Sequence, residues 1–196
     1  MKIALLVIDV QQALFDTTPK PYKALEVVEN INQLCNWARE AGYPVVYIQH
    51  EDEELVVDTP QWQLYDALQP QPDDLFVRKT TPDSFLGTNL DEILHEKGVD
   101  RLIICGYATD FCVDTTTRRA AGLGYPIMLA SDSHTTHDKP HALGANIRQH
   151  HNQTLSAMSS FGVPIQIAKA DAILSGCPKC IQFTQHASKV DLHKVY

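Results

Sequence analysis

The sequence predicts an α/β protein: a three-layer α/β/α sandwich around a mostly parallel, six-stranded, Rossmann-like sheet. Three observations carry the prediction. Short runs rich in β-branched and aliphatic residues recur along the chain, and segments with helical periodicity lie between them. Polar and charged residues stand just after the apolar runs, where such sheets gather their ligands.

Ile3 to Ile8 is an unbroken apolar run ending on Asp9, the pattern of a strand buried on both faces. Leu25, Val28, Ile31, Leu34, Cys35 and Ala38 then recur at helical spacing, and Gly42 supplies a stop. Val45 to Ile48 forms the second strand, with His50 beyond it. Glu51 to Asp74 has no clear period and is rich in proline and carboxylates, so it is a surface excursion or a lid. Leu75 to Val77 makes the third strand, followed by Lys79, and Asn89 to Lys97 makes a helix stopped by Gly98. Leu102 to Cys105 makes the fourth strand, which breaks at Gly106 before a helix over Asp110 to Ala121. The fifth strand, Ile127 to Ala130, is expected to end before Asp132, Ser133 and His134. A helix around His141 to Ser159 and a strand over Ile165 to Ala168 complete the pattern. Residues 1–175 thus read as one domain, and 176–196 as a C-terminal tail that docks on a neighbouring subunit.

The chain carries 24 acidic against 16 basic residues, a formal charge of −8, with the basic ones scattered. That distribution argues against nucleic acid or an anionic membrane as partner and leaves a small-molecule substrate. No run approaches the roughly 18 apolar residues of a membrane span. The amino-terminal segment reads as a strand rather than a secretory signal, which gives the expectation of a cytoplasmic protein. The cysteines Cys35, Cys105, Cys112, Cys177 and Cys180 are odd in number and spread over different element types, as for reduced thiols.

The chemistry centres on Ile103-Ile104-Cys105-Gly106-Tyr107-Ala108-Thr109-Asp110-Phe111-Cys112, which reads as strand, sharp turn and helix start. A thiol there meets unpaired N–H groups and the helix dipole, both of which favour the thiolate. Cys112 is therefore the candidate nucleophile. Asp9, after a buried strand, is a desolvated carboxylate suited to take the thiol proton, and Lys79 is a cation able to pair with both. Taken alone, Cys112 would more often be a small residue packing helix against sheet; the convergence of three residue types at strand ends favours the chemical reading.

Leu6-Val7-Ile8-Asp9-Val10-Gln11, Arg78-Lys79-Thr80-Thr81-Pro82-Asp83-Ser84-Phe85 and Gly106-Tyr107-Ala108-Thr109-Asp110-Phe111-Cys112-Val113 together resemble the isochorismatase-like cysteine hydrolases. That family includes nicotinamidases, N-carbamoylsarcosine amidohydrolases, and biuret and ureidoacrylate hydrolases. The resemblance implies a catalytic triad of Asp9, Lys79 and Cys112, a cis peptide between Tyr107 and Ala108, and an oxyanion hole from the N–H groups of Ala108 and Cys112. It also implies hydrolysis of a C–N bond in an amide, ureido or carbamoyl compound through a thioester, with no cofactor, in a homodimer or homotetramer. Vinyl-ether hydrolysis of the isochorismatase type, and a non-catalytic oligomeric binding protein, are the alternatives. Nicotinamidases of this family hold a metal with an Asp-x-His pair and a further histidine between the second and third strands. Glu51 to Asp74 contains no histidine, so no metal site of that type is expected.

Gln11, Phe15, Phe85, Tyr107, Phe111 and His134 are candidate pocket residues, with Trp62 and His137 as further possibilities, since loops after strands must supply apolar and polar walls. Cys35 and Cys105 read as core. Cys177 and Cys180, with His186 and His193, match no standard zinc spacing.

Overall fold

The computed structural model describes residues 2–176. Its sheet is built on β1 (Ile3–Ile8), whose residues are all buried. On one side lie β2 (Val45–His50) and then β3 (Leu75–Lys79); on the other lie β4 (Arg101–Tyr107), β5 (Ile127–Thr135) and β6 (Ile165–Ala168). The order is β3-β2-β1-β4-β5-β6, and every neighbouring pair is parallel. The order reverses at β1, so the crevice at the carboxyl ends of β1 and its neighbours is where an open α/β sheet binds ligands.

Strand alternation divides the core. Ile3, Leu5 and Val7 face α2 (Ala24–Glu40) and α6 (Ala170–Ser175), meeting Val27, Ile31, Leu34 and Ile173. Ala4, Leu6 and Ile8 face the other layer, formed by α3 (Leu90–Glu96), α4 (Asp114–Gly122) and α5 (Gly144–Ser156), through Leu90, Leu94, Ala120 and Leu155. These are the three layers expected.

The departures have local causes. The helix expected over Asp110 to Ala121 is a π-helical turn, Thr109–Val113, leading into α4. The fifth strand continues to Thr135, so Asp132, Ser133 and His134 lie within it rather than after it. A register shift makes this possible: Ile104 pairs with Leu129, whereas Gly106 pairs with His134. The helices expected around Asn89 to Lys97 and His141 to Ser159 are shorter, at Leu90–Glu96 and Gly144–Ser156. Both α1 (Gln12–Phe15) and α6 are too short for periodicity to reveal.

The 51–74 excursion is fastened to the domain. Leu55, Trp62 and Leu68 are buried, Leu64 bridges to Gln11, and Arg39 Nη2 donates to Asp74 Oδ2 at 2.6 Å. No helix among the described residues is long and apolar enough to cross a membrane. The tail, with Cys177, Cys180, His186 and His193, lies outside the described residues apart from Gly176.

Candidate active site

Asp9 leaves β1 with a φ of 50°, a left-handed conformation that turns its carboxyl out of the strand path. Lys79 ends β3, on the far side of β2 from Asp9, and its side chain reaches back until it is fully buried. Cys112 comes from the π-helical turn after β4. Gly106 permits that turn: its φ is +120°, and the Tyr107–Ala108 peptide that follows is cis. The Ala108 carbonyl then accepts from the N–H groups of Phe111 and Val113, which closes the turn around the thiol.

These elements bring the three residues together. Lys79 Nζ donates to Asp9 Oδ2 at 2.7 Å and to Cys112 Sγ at 3.3 Å. Asp9 Oδ1 is buried without a hydrogen bond of full geometry, although the Cys112 thiol lies close enough to stabilise the carboxylate. A fourth group joins them: His50 Nδ1 is 3.2 Å from Lys79 Nζ, and His50 Nε2 is 3.2 Å from Asp52 Oδ2. The sequence predicts no role for His50 beyond its place after the second strand, and the structure makes it the last residue of β2.

Burial dominates the electrostatics. It raises the Asp9 carboxyl above its ordinary value, even though the Lys79 ammonium opposes the shift. The Cys112 thiol is pushed up to about 12, by burial first and by the Asp9 carboxylate second, while Lys79 pulls the other way. The sequence expectation of a thiolate favoured by a helix start is therefore corrected. Desolvation first and the Asp9 carboxylate second hold the thiol above its ordinary value, against the pull of Lys79. Of the described cysteines, Cys35 and Cys105 are wholly buried in the core as expected, and only Cys112 is partly accessible.

The pocket expectations divide. Tyr107 is half-buried and close enough to Asp9 and Cys112 to feel both charges, and its hydroxyl hydrogen-bonds His137 Nδ1 at 2.8 Å. Phe111, next to Cys112 in the chain, is 53% exposed with the Lys139 ammonium 5.0 Å from its ring centre. Phe15 and Phe85 are corrected to core: Phe15 packs with the α2 layer and Phe85 with the opposite layer, stacked on Tyr125. Trp62 is also buried.

Gln11 and His134 are likewise corrected from pocket walls to internal braces. Gln11 accepts from the His50 N–H at 2.8 Å and donates to the His50 carbonyl at 2.9 Å, so it clamps that backbone. His134 is inaccessible; its Nδ1 meets Thr109 Oγ1 at 2.8 Å and its Nε2 meets Asn152 Oδ1 at 3.0 Å. Asn152 donates in turn to the Ser131 carbonyl, which orients its amide oxygen toward the ring. His134 thereby ties the start of the π-helical turn to α5. No group of three or more His, Cys, Asp or Glu among the described residues is arranged to hold a metal ion.

A parallel α/β domain with a buried carboxylate, a buried ammonium and a half-buried thiol gathered at the carboxyl edge of its sheet defines a class of proteins organised around one cysteine. More particularly, the chain belongs to the isochorismatase family, whose Isochorismatase domain model matches residues 3–169. A streptothricin hydrolase of Streptomyces noursei is 38% identical over 142 residues, covering 71% of this chain and 51% of the relative. The ureidoacrylate amidohydrolase RutB of Pseudomonas savastanoi pv. phaseolicola is 30% identical over 141 residues, covering 55% of this chain and 58% of that protein. The chain thus spans little more than half the length of these curated relatives. A solved structure described as an isochorismatase family protein superposes with a TM-score of 0.79 at 36% identity, covering 85% of this chain and 98% of the other.

Proposed function

We propose that this protein is a cysteine-dependent hydrolase that cleaves a C–N bond of a small amide, ureido or carbamoyl compound. The observation that carries the reading is the single Lys79 ammonium bonded to both Asp9 Oδ2 and Cys112 Sγ. A base, a cation and a nucleophile in mutual contact are what acyl transfer to sulfur requires. The names of a streptothricin hydrolase and an amidohydrolase among the relatives support the same reaction class.

In the proposed mechanism Asp9 takes the thiol proton as Cys112 sulfur attacks the substrate carbonyl carbon. The resulting oxyanion faces the N–H groups of Ala108 and Cys112; one such donor contributes about 3 to 4 kcal/mol in comparable sites. As the C–N bond breaks, the Asp9 carboxyl gives its proton to the departing amine, leaving a thioester on Cys112. Asp9 then takes a proton from water as its oxygen attacks the thioester, and returns it to the departing sulfur. The raised Asp9 carboxyl suits a group that must both take and give a proton. The same reading includes assembly as a homodimer or homotetramer, which light scattering on the purified chain decides.

The test is amine or ammonia release from a panel of amides and ureides, with mass spectrometry for an acyl adduct on Cys112. We expect Cys112→Ala and Asp9→Asn each to lower turnover by about a thousandfold or more. Turnover that survives Cys112→Ala but not Asp9→Asn would instead identify vinyl-ether chemistry. A Cys112 no more reactive than Cys35 toward an alkylating reagent would identify a binding protein.

A further inference from the structure

We infer that His50, oriented by Asp52, is a positioning residue that completes the coordination of the Lys79 ammonium and holds it on Cys112; this rests on the hydrolase reading of the site. A protonated lysine has three N–H donors and no acceptor. Lys79 finds an acceptor for each: Asp9 Oδ2 at 2.7 Å, His50 Nδ1 at 3.2 Å and Cys112 Sγ at 3.3 Å. The Lys79 side chain is fully buried, so water cannot replace a lost acceptor without rearrangement.

For His50 to accept at Nδ1, its proton must sit on Nε2, and Asp52 enforces this tautomer from the other side of the ring. Asp52 is itself held in place: its Oδ1 accepts from the N–H groups of Glu54 at 2.8 Å and Leu55 at 2.7 Å. That leaves Oδ2 aimed at His50 Nε2 at 3.2 Å. Gln11 clamps the His50 N–H and carbonyl together, so the ring is placed from the backbone as well as through both nitrogens. The relay runs from a loop carboxylate in the excursion, through imidazole, to the buried cation and then to the thiol.

The charge balance explains why position matters. Lys79 is the group that draws the Cys112 thiol downward against burial and Asp9. Sulfur is the weakest of its three acceptors, so an ammonium that loses the histidine and turns to repair an unmade bond gives up sulfur first.

The experiment follows alkylation of Cys112 by iodoacetamide, read by peptide mass spectrometry with Cys35 as internal reference, and needs no substrate. His50→Ala removes the acceptor and is expected to slow Cys112 alkylation about tenfold at about pH 8. His50→Asn puts an amide oxygen near the position of Nδ1 and is expected to restore the rate to within about threefold of wild type. A residue that merely packs would show no such rescue. Asp52→Ala is expected to slow alkylation in the same direction and by less. Should His50→Ala fold poorly, His50→Gln replaces it, since its amide extends toward the Nε2 side. Wild-type rates in His50→Ala or in Asp52→Ala, or an Asn variant as slow as Ala, would overturn the inference. A wild-type Cys112 that iodoacetamide labels no faster than a free thiol of the same exposure would instead overturn the hydrolase reading beneath it.

Discussion

Gly106 lies so close to Ile8 that a β carbon on it would collide with the Ile8 backbone, its carbonyl oxygen first. The two residues are paired across β1 and β4, immediately before Asp9 on one strand and the turn to Cys112 on the other. The contact therefore sets how near Asp9 and Cys112 can come.

Gly106→Ala should accordingly cost more than an ordinary glycine substitution. The methyl meets backbone rather than a flexible side chain, at a φ of +120° that L-residues rarely adopt. We expect a loss of about 3 kcal/mol or more in urea unfolding, together with loss of turnover. An alanine variant within about 1 kcal/mol of wild type would show that the two strands can separate without penalty.

Asp9→Asn should divide nucleophile reactivity from catalysis. The Asp9 carboxylate raises the Cys112 thiol while Lys79 lowers it. Removing the anion leaves the cation, so the thiol becomes more acidic and alkylates faster near neutral pH. Under the proposed mechanism turnover still fails, because no group remains to carry the proton to the leaving amine. Parallel measurement of iodoacetamide labelling and turnover checks this; labelling that slows would contradict the sign.

His134 predicts an acid-sensitive fold. Burial pulls its imidazole down from 6.5 to about 4. A histidine whose folded value is depressed contributes stability that is present above its unfolded value and is lost as pH falls through its folded value. The loss should fall between pH 6.5 and about 4 and approach on the order of 3 kcal/mol. Urea unfolding across that range should be steeper in pH for wild type than for His134→Asn, in which nothing titrates at the position.

Cys112 predicts an alkaline counterpart. Its folded value of about 12 stands above the ordinary 9.0, so its contribution to stability is complete below pH 9 and is lost as pH rises toward 12. Comparing wild type with Cys112→Ala isolates this group from tyrosines that titrate in the same range. The stability difference between the two proteins should move against wild type as pH rises through that window, and a difference independent of pH would remove the claim.

The sequence was most legible where the cause is local. The runs ending at Ile8 and Cys105 read as strands because aliphatic and β-branched residues leave no polar face, and the sheet indeed covers both. Asp9 and Lys79 are among the polar groups directly after such strands, which fall at the sheet's ligand-binding edge, and the resemblance of their motifs to the family singles them out, Lys79 above all. The boundary of β5 was illegible, because it depends on a register shift against β4 that no run of residues announces. Phe15 and Phe85 look alike in sequence, both aromatic and both in segments that follow strands. Only the direction of the chain beyond those strands sends each into a different core layer.

What the sequence determined by itself was the layered α/β architecture and the identity of three residues able to cooperate, since hydrophobic period and strand-end position are properties of short segments. What tertiary structure alone decided was their electrical state and their company. Burial and Asp9 raise the thiol against the opposing pull of Lys79. Lys79 reaches Cys112, Asp9 and His50 at once because strands far apart in the chain end side by side. Desolvation and contact over a few ångströms depend on distances in space, and those exist only once the sheet has closed around them.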